Sequence, residues 1–149
     1  MSELIVWTYD WVPPGPRGYV RDLRLRWACE EAGLAYSVRT VPFDGRETNH
    51  LERQPFGQVP FLDDGGLKIF ESGAGLLHLA RRSETLMPRD PAGEAETAQW
   101  MLAALTSIEM VSVPWWFLED SGGKDNTPAG LLGNRPGRLE TVLGARPGL

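Results

Sequence analysis

The sequence has few of the residues that cross-link small proteins or bind metals in them. It contains one cysteine and two histidines among 149 residues. A single cysteine excludes both an internal disulfide and a Cys-x-x-Cys redox centre. Cys29, His50 and His78 are too widely separated for the ligand spacing of a zinc site. We therefore expect no metal.

Excess positive charge and long apolar runs are also absent. Fifteen Lys and Arg residues face twenty Asp and Glu residues, which gives a net charge of −5. This charge argues against a nucleic-acid surface, which is normally basic. The apolar runs are far too short to span a bilayer, and no N-terminal signal peptide is visible. We expect no nucleic-acid partner, no membrane association and a cytoplasmic location.

The first part of the chain has the pattern of a strand, a helix and a second strand. The β-rich run Leu4–Tyr9 predicts a strand, and a loop with three prolines and two glycines follows it up to Gly18. Apolar residues that recur with the helical period of 3.6 residues predict a helix from Tyr19, and Gly33 suits the position just after its end. Alternating residues from Tyr36 to Val41 predict the second strand.

The stretch from Gln54 to Ser72 has the pattern of a β-hairpin followed by a helix. Two short apolar runs, 59–62 and 67–70, flank the turn sequence Asp-Asp-Gly-Gly. Pro60 falls inside the first run, where its missing N–H favours an edge strand, a bulge or a cis bond. Ser72 is a natural N-cap for the following helix, whose free N–H groups can hold a carboxylate.

This arrangement resembles the glutathione-binding half of the glutathione transferase family. Val59-Pro60, then a hairpin, then Glu71-Ser72 is the pattern in question. In that family the proline is cis, and the backbone of the residue before it pairs with the peptide backbone of glutathione. The acidic residue and the serine hold the γ-glutamyl end. The resemblance implies these roles for Val59, Pro60, Glu71 and Ser72. Gln58 is a further candidate contact, or a solvated glutamine at a strand end.

The resemblance extends to the fold. The segment from Leu25 to Leu34 is similar to the first helix of the family. A βαβ unit followed by a ββα unit is the thioredoxin-like plan. We therefore predict an α/β protein with a thioredoxin-like βαβ-ββα domain over residues 1–86. An incomplete all-α domain is expected over residues 92–149, because the family's helical domain normally continues for several more helices.

The second domain is predicted to open with a long helix. Pro91 suits a first helical turn, and apolar residues follow one side from Ala92 to about Val113. Pro114 should end or kink this helix. The polar stretch 119–133 predicts a loop, and a short helix is possible over residues 138–143. Exposed apolar residues at 115–118 would need a partner surface, and the resemblance implies a homodimer.

The residue that would activate the glutathione thiol is not evident from position. Family members place Tyr, Ser or Cys just after the first strand or at the start of the first helix. An ungapped comparison puts Pro16 at the serine position, and Pro16 has no group to donate. By chemistry the catalytic candidates are Tyr19, whose hydroxyl can donate, and Arg17, whose cation can stabilise a thiolate. The alternative is a solvated Arg17 and a Tyr19 that only packs on the helix.

Tyr9 and Trp11 are weaker candidates for the thiol activator. Cys29 is interpreted as a buried structural thiol because it lies in mid-helix.

Two functions are compatible with the sequence. The first function is a detoxifying glutathione transferase, with glutathione as co-substrate and a small electrophile as the second substrate. The alternative is a non-catalytic glutathione-transferase-like module for binding or association, which the missing activator favours.

Overall fold

A computed structural model describes residues 3–44 and 48–120 of the chain. The chain divides into two compact units, Met1–Glu94 and Ala95–Leu149, and each is described by itself. The elements before residue 91 are β1 (Leu4–Tyr9), α1 (Asp22–Glu31), β2 (Ser37–Val41), α2 (Thr48–Arg53), β3 (Phe61–Asp64), β4 (Leu67–Phe70) and α3 (Ser72–Ala80).

The strands form one mixed sheet in the order β2-β1-β3-β4. β1 and β2 are parallel because α1 connects them, whereas β3 is antiparallel to both β1 and β4. The tight turn between β3 and β4 holds Gly65 at φ 61° and Gly66 at φ 96°, a conformation that glycine adopts without a Cβ clash. This topology confirms the predicted thioredoxin-like domain.

The main core lies between the sheet and the helices α1 and α3. Its buried members come from β1, α1, β3 and α3: Leu4, Val6, Leu25, Ala28, Cys29, Leu62 and Leu79. Side chains alternate along β1, so Trp7 and Tyr9 instead contact a second cluster formed by Val41, Val59 and Phe61. The second cluster therefore lies next to the predicted ligand-binding loop.

Gly75 allows α3 to approach α1 closely. A Cβ at this position would lie 2.9 Å from a methyl carbon of Leu25 and 3.2 Å from one of Leu62. Both leucines are almost fully buried, at 1% and 0% exposure. Because interiors are close-packed, the missing side chain sets the distance between the two helices.

Several predicted boundaries differ from the structure. α1 begins at Asp22 rather than Tyr19, because Gly18 at φ 85° and a turn precede it. β3 begins at Phe61, so Val59 and Pro60 lie just outside the sheet, consistent with the missing N–H of proline. The prediction of Ser72 as N-cap is wrong by one residue, since the N-cap is Glu71 and Ser72 begins α3.

The helical part of the chain begins at Pro91, as predicted, but it is interrupted elsewhere than expected. α4 (Pro91–Leu102) passes into a π-helical segment (Ala103–Glu109) and then into α5 (Met110–Asp120). Pro114 lies inside α5, so the expectation that it ends the helix is wrong, whereas a kink at Pro114 stays a prediction. The Thr106 hydroxyl donates to the Leu102 carbonyl over 2.9 Å, which competes with the backbone ladder in the π segment.

Most of the remaining predictions for the C-terminal part of the chain concern residues after 120, which lie outside the described residues. The first two residues of the predicted 119–133 loop belong to α5, whereas its remainder and the predicted 138–143 helix lie outside the described residues. Trp116 is 41% exposed. Over the described ranges, no helix has the length and apolar character needed to cross a membrane.

Candidate functional site

The predicted ligand-binding loop has the expected backbone at its centre. The Val59–Pro60 peptide bond is cis, which confirms that prediction. Val59 is buried among Val41 and Phe61, and Tyr9 and Val20 pack against the same cluster. The end of β1 and the segment before α1 therefore both meet at Val59.

Three side chains hold the loop that leads to Val59. The Tyr9 hydroxyl donates to the Gly57 carbonyl over 3.2 Å. The Gln54 side-chain oxygen accepts from the Phe56 amide over 2.6 Å. His50 lies 2.9 Å from the Gln58 carbonyl through Nε2, and the Gln58 residue itself is exposed. The loop is thus fixed through backbone groups, while the Gln58 side chain is left in solvent.

Glu71 and Ser72 lie at the N-terminus of α3. Glu71 has φ 70° and ψ 122°, and it is the one non-glycine residue with positive φ among the described residues. Such a conformation costs energy in a residue with a Cβ, and it tends to mark ligand-binding positions. The Glu71 residue is exposed, and no side-chain hydrogen bond caps the helix there. Ser72 is only 6% exposed.

Arg24 is a neighbour of this pair that the sequence did not reveal. A guanidinium nitrogen of Arg24 lies 3.5 Å from the Ser72 hydroxyl oxygen, at the long limit of a hydrogen bond. Arg24 precedes Leu25, which packs at Gly75, so the close approach of α1 and α3 brings the cation to Ser72. The only available signal was a glycine within the apolar α3 pattern, which indicates close helix packing.

The predicted activators lie in the loop before α1. The Tyr19 amide donates to the Pro16 carbonyl over 2.9 Å, and Gly18 lies between them at φ 85°. Arg17 is exposed and Tyr19 is 82% exposed. Val20, the next residue, packs against the Val59 cluster. The structure therefore brings this junction to the loop with both candidate side chains in solvent, and their catalytic roles stay predictions.

Cys29 does not belong to the site. Its exposure is 0%, and burial raises the pKa of its thiol to about 11. A buried, protonated thiol is a poor nucleophile, which agrees with the structural interpretation. Within residues 3–44 and 48–120, no three His, Cys, Asp or Glu residues are grouped as metal ligands would be.

Residues 15–81 match the family model described as the glutathione S-transferase N-terminal domain. Glutathione S-transferase 1 of Zea mays is 40% identical over 70 residues, which cover 45% of this chain and 33% of that protein. Glutathione S-transferase F12 of Arabidopsis thaliana is 56% identical over 47 residues, covering 30% and 22%. The chain thus spans a third or less of the length of these two curated relatives.

Solved structures match almost the whole chain. A glutathione transferase from Burkholderia graminis, with two glutathione molecules bound per subunit, has a TM-score of 0.78 and 27% identity. The match covers 97% of this chain and 63% of that one. A theta-class enzyme from Xanthomonas axonopodis pv. citri, with glutathione bound, has a TM-score of 0.71, 26% identity, and coverages of 97% and 70%. Ure2p in complex with glutathione, at 19% identity and a TM-score of 0.79, matches in fold alone and covers 97% and 64%.

Proposed function

This chain belongs to the glutathione S-transferase family, and we propose that it binds glutathione beside the cis-prolyl loop and uses the thiol on small electrophiles. The backbone of Val59, next to Pro60, pairs with the peptide backbone of glutathione. Glu71 and Ser72 hold the γ-glutamyl end, and Gln58 is a further contact. Glutathione is the co-substrate, and the proposed chemistry requires no metal.

The observation that supports this proposal most strongly is the conformation of Glu71. Glu71 is an exposed residue with a strained backbone at the N-cap of α3, and the next residue is the buried Ser72. The carboxylate can pair with the ligand's amino group. The Ser72 hydroxyl and the free N–H groups of the helix can donate hydrogen bonds to the ligand's α-carboxylate. Arg24, 3.5 Å from that hydroxyl, adds positive charge on the same side.

Thiolate formation is proposed to occur at the junction before α1. The Val20 contact with the Val59 cluster supports this location. The N-terminus of α1 has partial positive charge, the Arg17 cation adds to it, and the Tyr19 hydroxyl can donate to sulfur. Lowering the pKa of the glutathione thiol by one unit requires about 1.36 kcal/mol of such stabilisation. Orientation of the bound thiol then lowers the barrier to attack.

Titration calorimetry with glutathione tests the binding site. Glu71→Ala and Ser72→Ala should each weaken binding by about 1.5–3 kcal/mol, or about 10- to 150-fold, because a hydrogen bond to a charged group is lost. Glu84→Ala is the matched control, since this exposed carboxylate lies between α3 and α4, and its ion pair with Arg89 is long, at 3.8 Å. Equal affinity in all four proteins would remove the assignment.

The pH dependence of the thiolate absorbance of bound glutathione tests the chemistry. We expect the thiolate to appear at higher pH in Arg17→Ala and Tyr19→Phe than in the wild type. Tyr9→Phe is measured in parallel because the Tyr9 hydroxyl lies at Gly57. If glutathione binds and all three variants match the wild type, the non-catalytic alternative is favoured. Turnover of a generic electrophile with glutathione separates the same two functions.

The proposal includes a role in detoxification, a cytoplasmic location and a homodimer. Exposed apolar side chains on α5, such as Met110 at 67% and Trp116 at 41%, support an association surface. Light scattering should show a dimer. A monomer that binds no apolar dye would contradict this part of the proposal and leave the glutathione site unaffected.

A further inference from the structure

We propose that His50 is a positioning residue that sets the direction of the Val59 N–H by holding the Gln58 carbonyl. The inference deepens the proposed function, because its functional consequence rests on glutathione binding at Val59. His50 lies on α2 and is buried, as is Gln54, which directly follows the helix.

The hydrogen bond defines the state of the imidazole ring. Nε2 of His50 lies 2.9 Å from the Gln58 carbonyl oxygen. A carbonyl oxygen can only accept, so Nε2 must be the nitrogen that has the proton. Nδ1 is buried and has no hydrogen-bond partner among the described residues. The ring therefore forms one hydrogen bond among the described residues, in which Nε2 donates to the loop backbone.

Peptide planarity transmits this bond to Val59. The Gln58 carbonyl and the Val59 N–H belong to one peptide unit, and that unit is trans, since Val59–Pro60 is the one cis bond among the described residues. In a planar trans unit the C=O and N–H groups point in opposite directions. Holding the carbonyl toward α2 therefore directs the Val59 N–H away from α2. In the proposed site this N–H is the backbone donor offered to glutathione.

The ring is itself held in place. Its centroid lies 5.6 Å from that of Phe61 with an interplanar angle of 32°, and His50 is only 1% exposed. Phe61 is stacked on Trp7 at 5.5 Å. The Gln54 amide donates to the His50 carbonyl over 2.8 Å, which fixes the end of α2. A phenylalanine at position 50 can keep this packing and lacks the donor, so it distinguishes positioning from packing alone.

The first test needs no ligand. Nitrogen-15 spectra of the histidine rings in the full chain, assigned with His50→Phe, report which ring nitrogen is protonated. We expect a proton on Nε2 of His50. A His50 ring without a proton on Nε2 overturns the proposal. Because glutathione is absent, this result is independent of whether the proposed function is correct.

The second test is glutathione titration of His50→Phe and His50→Gln. The Phe variant should lose about fivefold or more in affinity, because one neutral hydrogen bond that orients the donor is missing. The Gln variant should stay within about twofold of the wild type, since its amide can donate to the same carbonyl. His78→Phe is the control and should bind as the wild type does.

The outcomes separate the two proposals. Wild-type affinity in His50→Phe overturns the positioning role and leaves the proposed function intact. If the wild type does not bind glutathione, the proposed function is contradicted. The ring spectra then still test whether His50 donates to the Gln58 carbonyl. If His50→Phe does not fold, the proposal is tested by the glutathione affinity of His50→Gln relative to the wild type and by the ring spectra of the native chain. A large loss of affinity in His50→Gln then overturns the proposal.

Discussion

The two ends of the sheet are held by different kinds of interaction. At the end where β1 finishes, two side chains form hydrogen bonds with backbone carbonyls: Tyr9 with Gly57 and His50 with Gln58. At the opposite end, Asp64 forms an ion pair with Arg82 and a hydrogen bond with His78, each at 2.8 Å. The second end is therefore held mainly by charge, and the first mainly by groups that fix backbone direction.

This difference fits what each end is proposed to do. A ligand that pairs with the backbone of Val59 requires one orientation of the peptide units around it, which directional hydrogen bonds provide. Ion pairs are less directional and weaken with salt. At the hairpin end, nothing in the proposal requires a particular backbone orientation, so the Asp64 pairs need only hold β3 to α3.

The largest expected effect comes from the packing that both ends share. Gly75→Ala places a Cβ 2.9 Å from a methyl carbon of Leu25 and 3.2 Å from one of Leu62, so these buried side chains or α3 must shift. Overpacking of this kind typically costs about 1–3 kcal/mol in the free energy of unfolding. Urea denaturation measures it, and Ala74→Ser on the exposed side of α3 is the control. A variant as stable as the control would show that the α1–α3 distance is not constrained at Gly75.

Asp64→Asn should sharpen the contrast at the hairpin end. Asp64 is 12% exposed, but Arg82 is 37% exposed, so screening reduces the contribution of that pair. We expect a loss of about 1 kcal/mol at low salt and a smaller loss near 1 M salt, where the Debye length is about 3 Å. Glutathione affinity should not change. A change in affinity like that of Ser72→Ala would mean that the two ends are coupled.

Tyr9→Phe should give the smallest change in stability, and this change should not depend on salt. It removes one half-buried, neutral hydrogen bond to Gly57, which is worth about 0.5–1 kcal/mol. Denaturant unfolding at low and high salt should give the same difference from the wild type. A penalty that shrinks with salt as it does for Asp64→Asn would remove the distinction between the two ends.

Much of the first domain could be predicted because its signals are local. The Leu4–Tyr9 strand and the Gly65-Gly66 turn depend on residues adjacent in sequence, and the structure has them where they were predicted. The end of α1 before Gly33 was also signalled locally. The π-helical segment 103–109 has no comparable signal, and the proline expected to interrupt the helix lies within α5.

The candidate site was predicted only in part, for a related reason. Val59, Pro60, Glu71 and Ser72 are recognisable because the family pattern follows the chain. The positions of Arg24 and His50 depend on how separate helices pack. Arg24 is one of the polar residues expected on the solvated face of a helix. His50 has no catalytic partner at a typical spacing in the sequence, so neither residue was selected.

The sequence by itself determined the order of the strands and the hairpin turn, because each follows from periodicity or from the backbone freedom of glycine, and its family pattern added the cis bond at Pro60. Only the tertiary structure decided that Arg24 lies at Ser72 and that His50 holds the Gln58 carbonyl. Residues 24 and 72 are 48 positions apart. Contacts over such separations arise from helix packing against a shared sheet, and packing depends on the volumes of side chains such as Leu25 and on the one that Gly75 lacks.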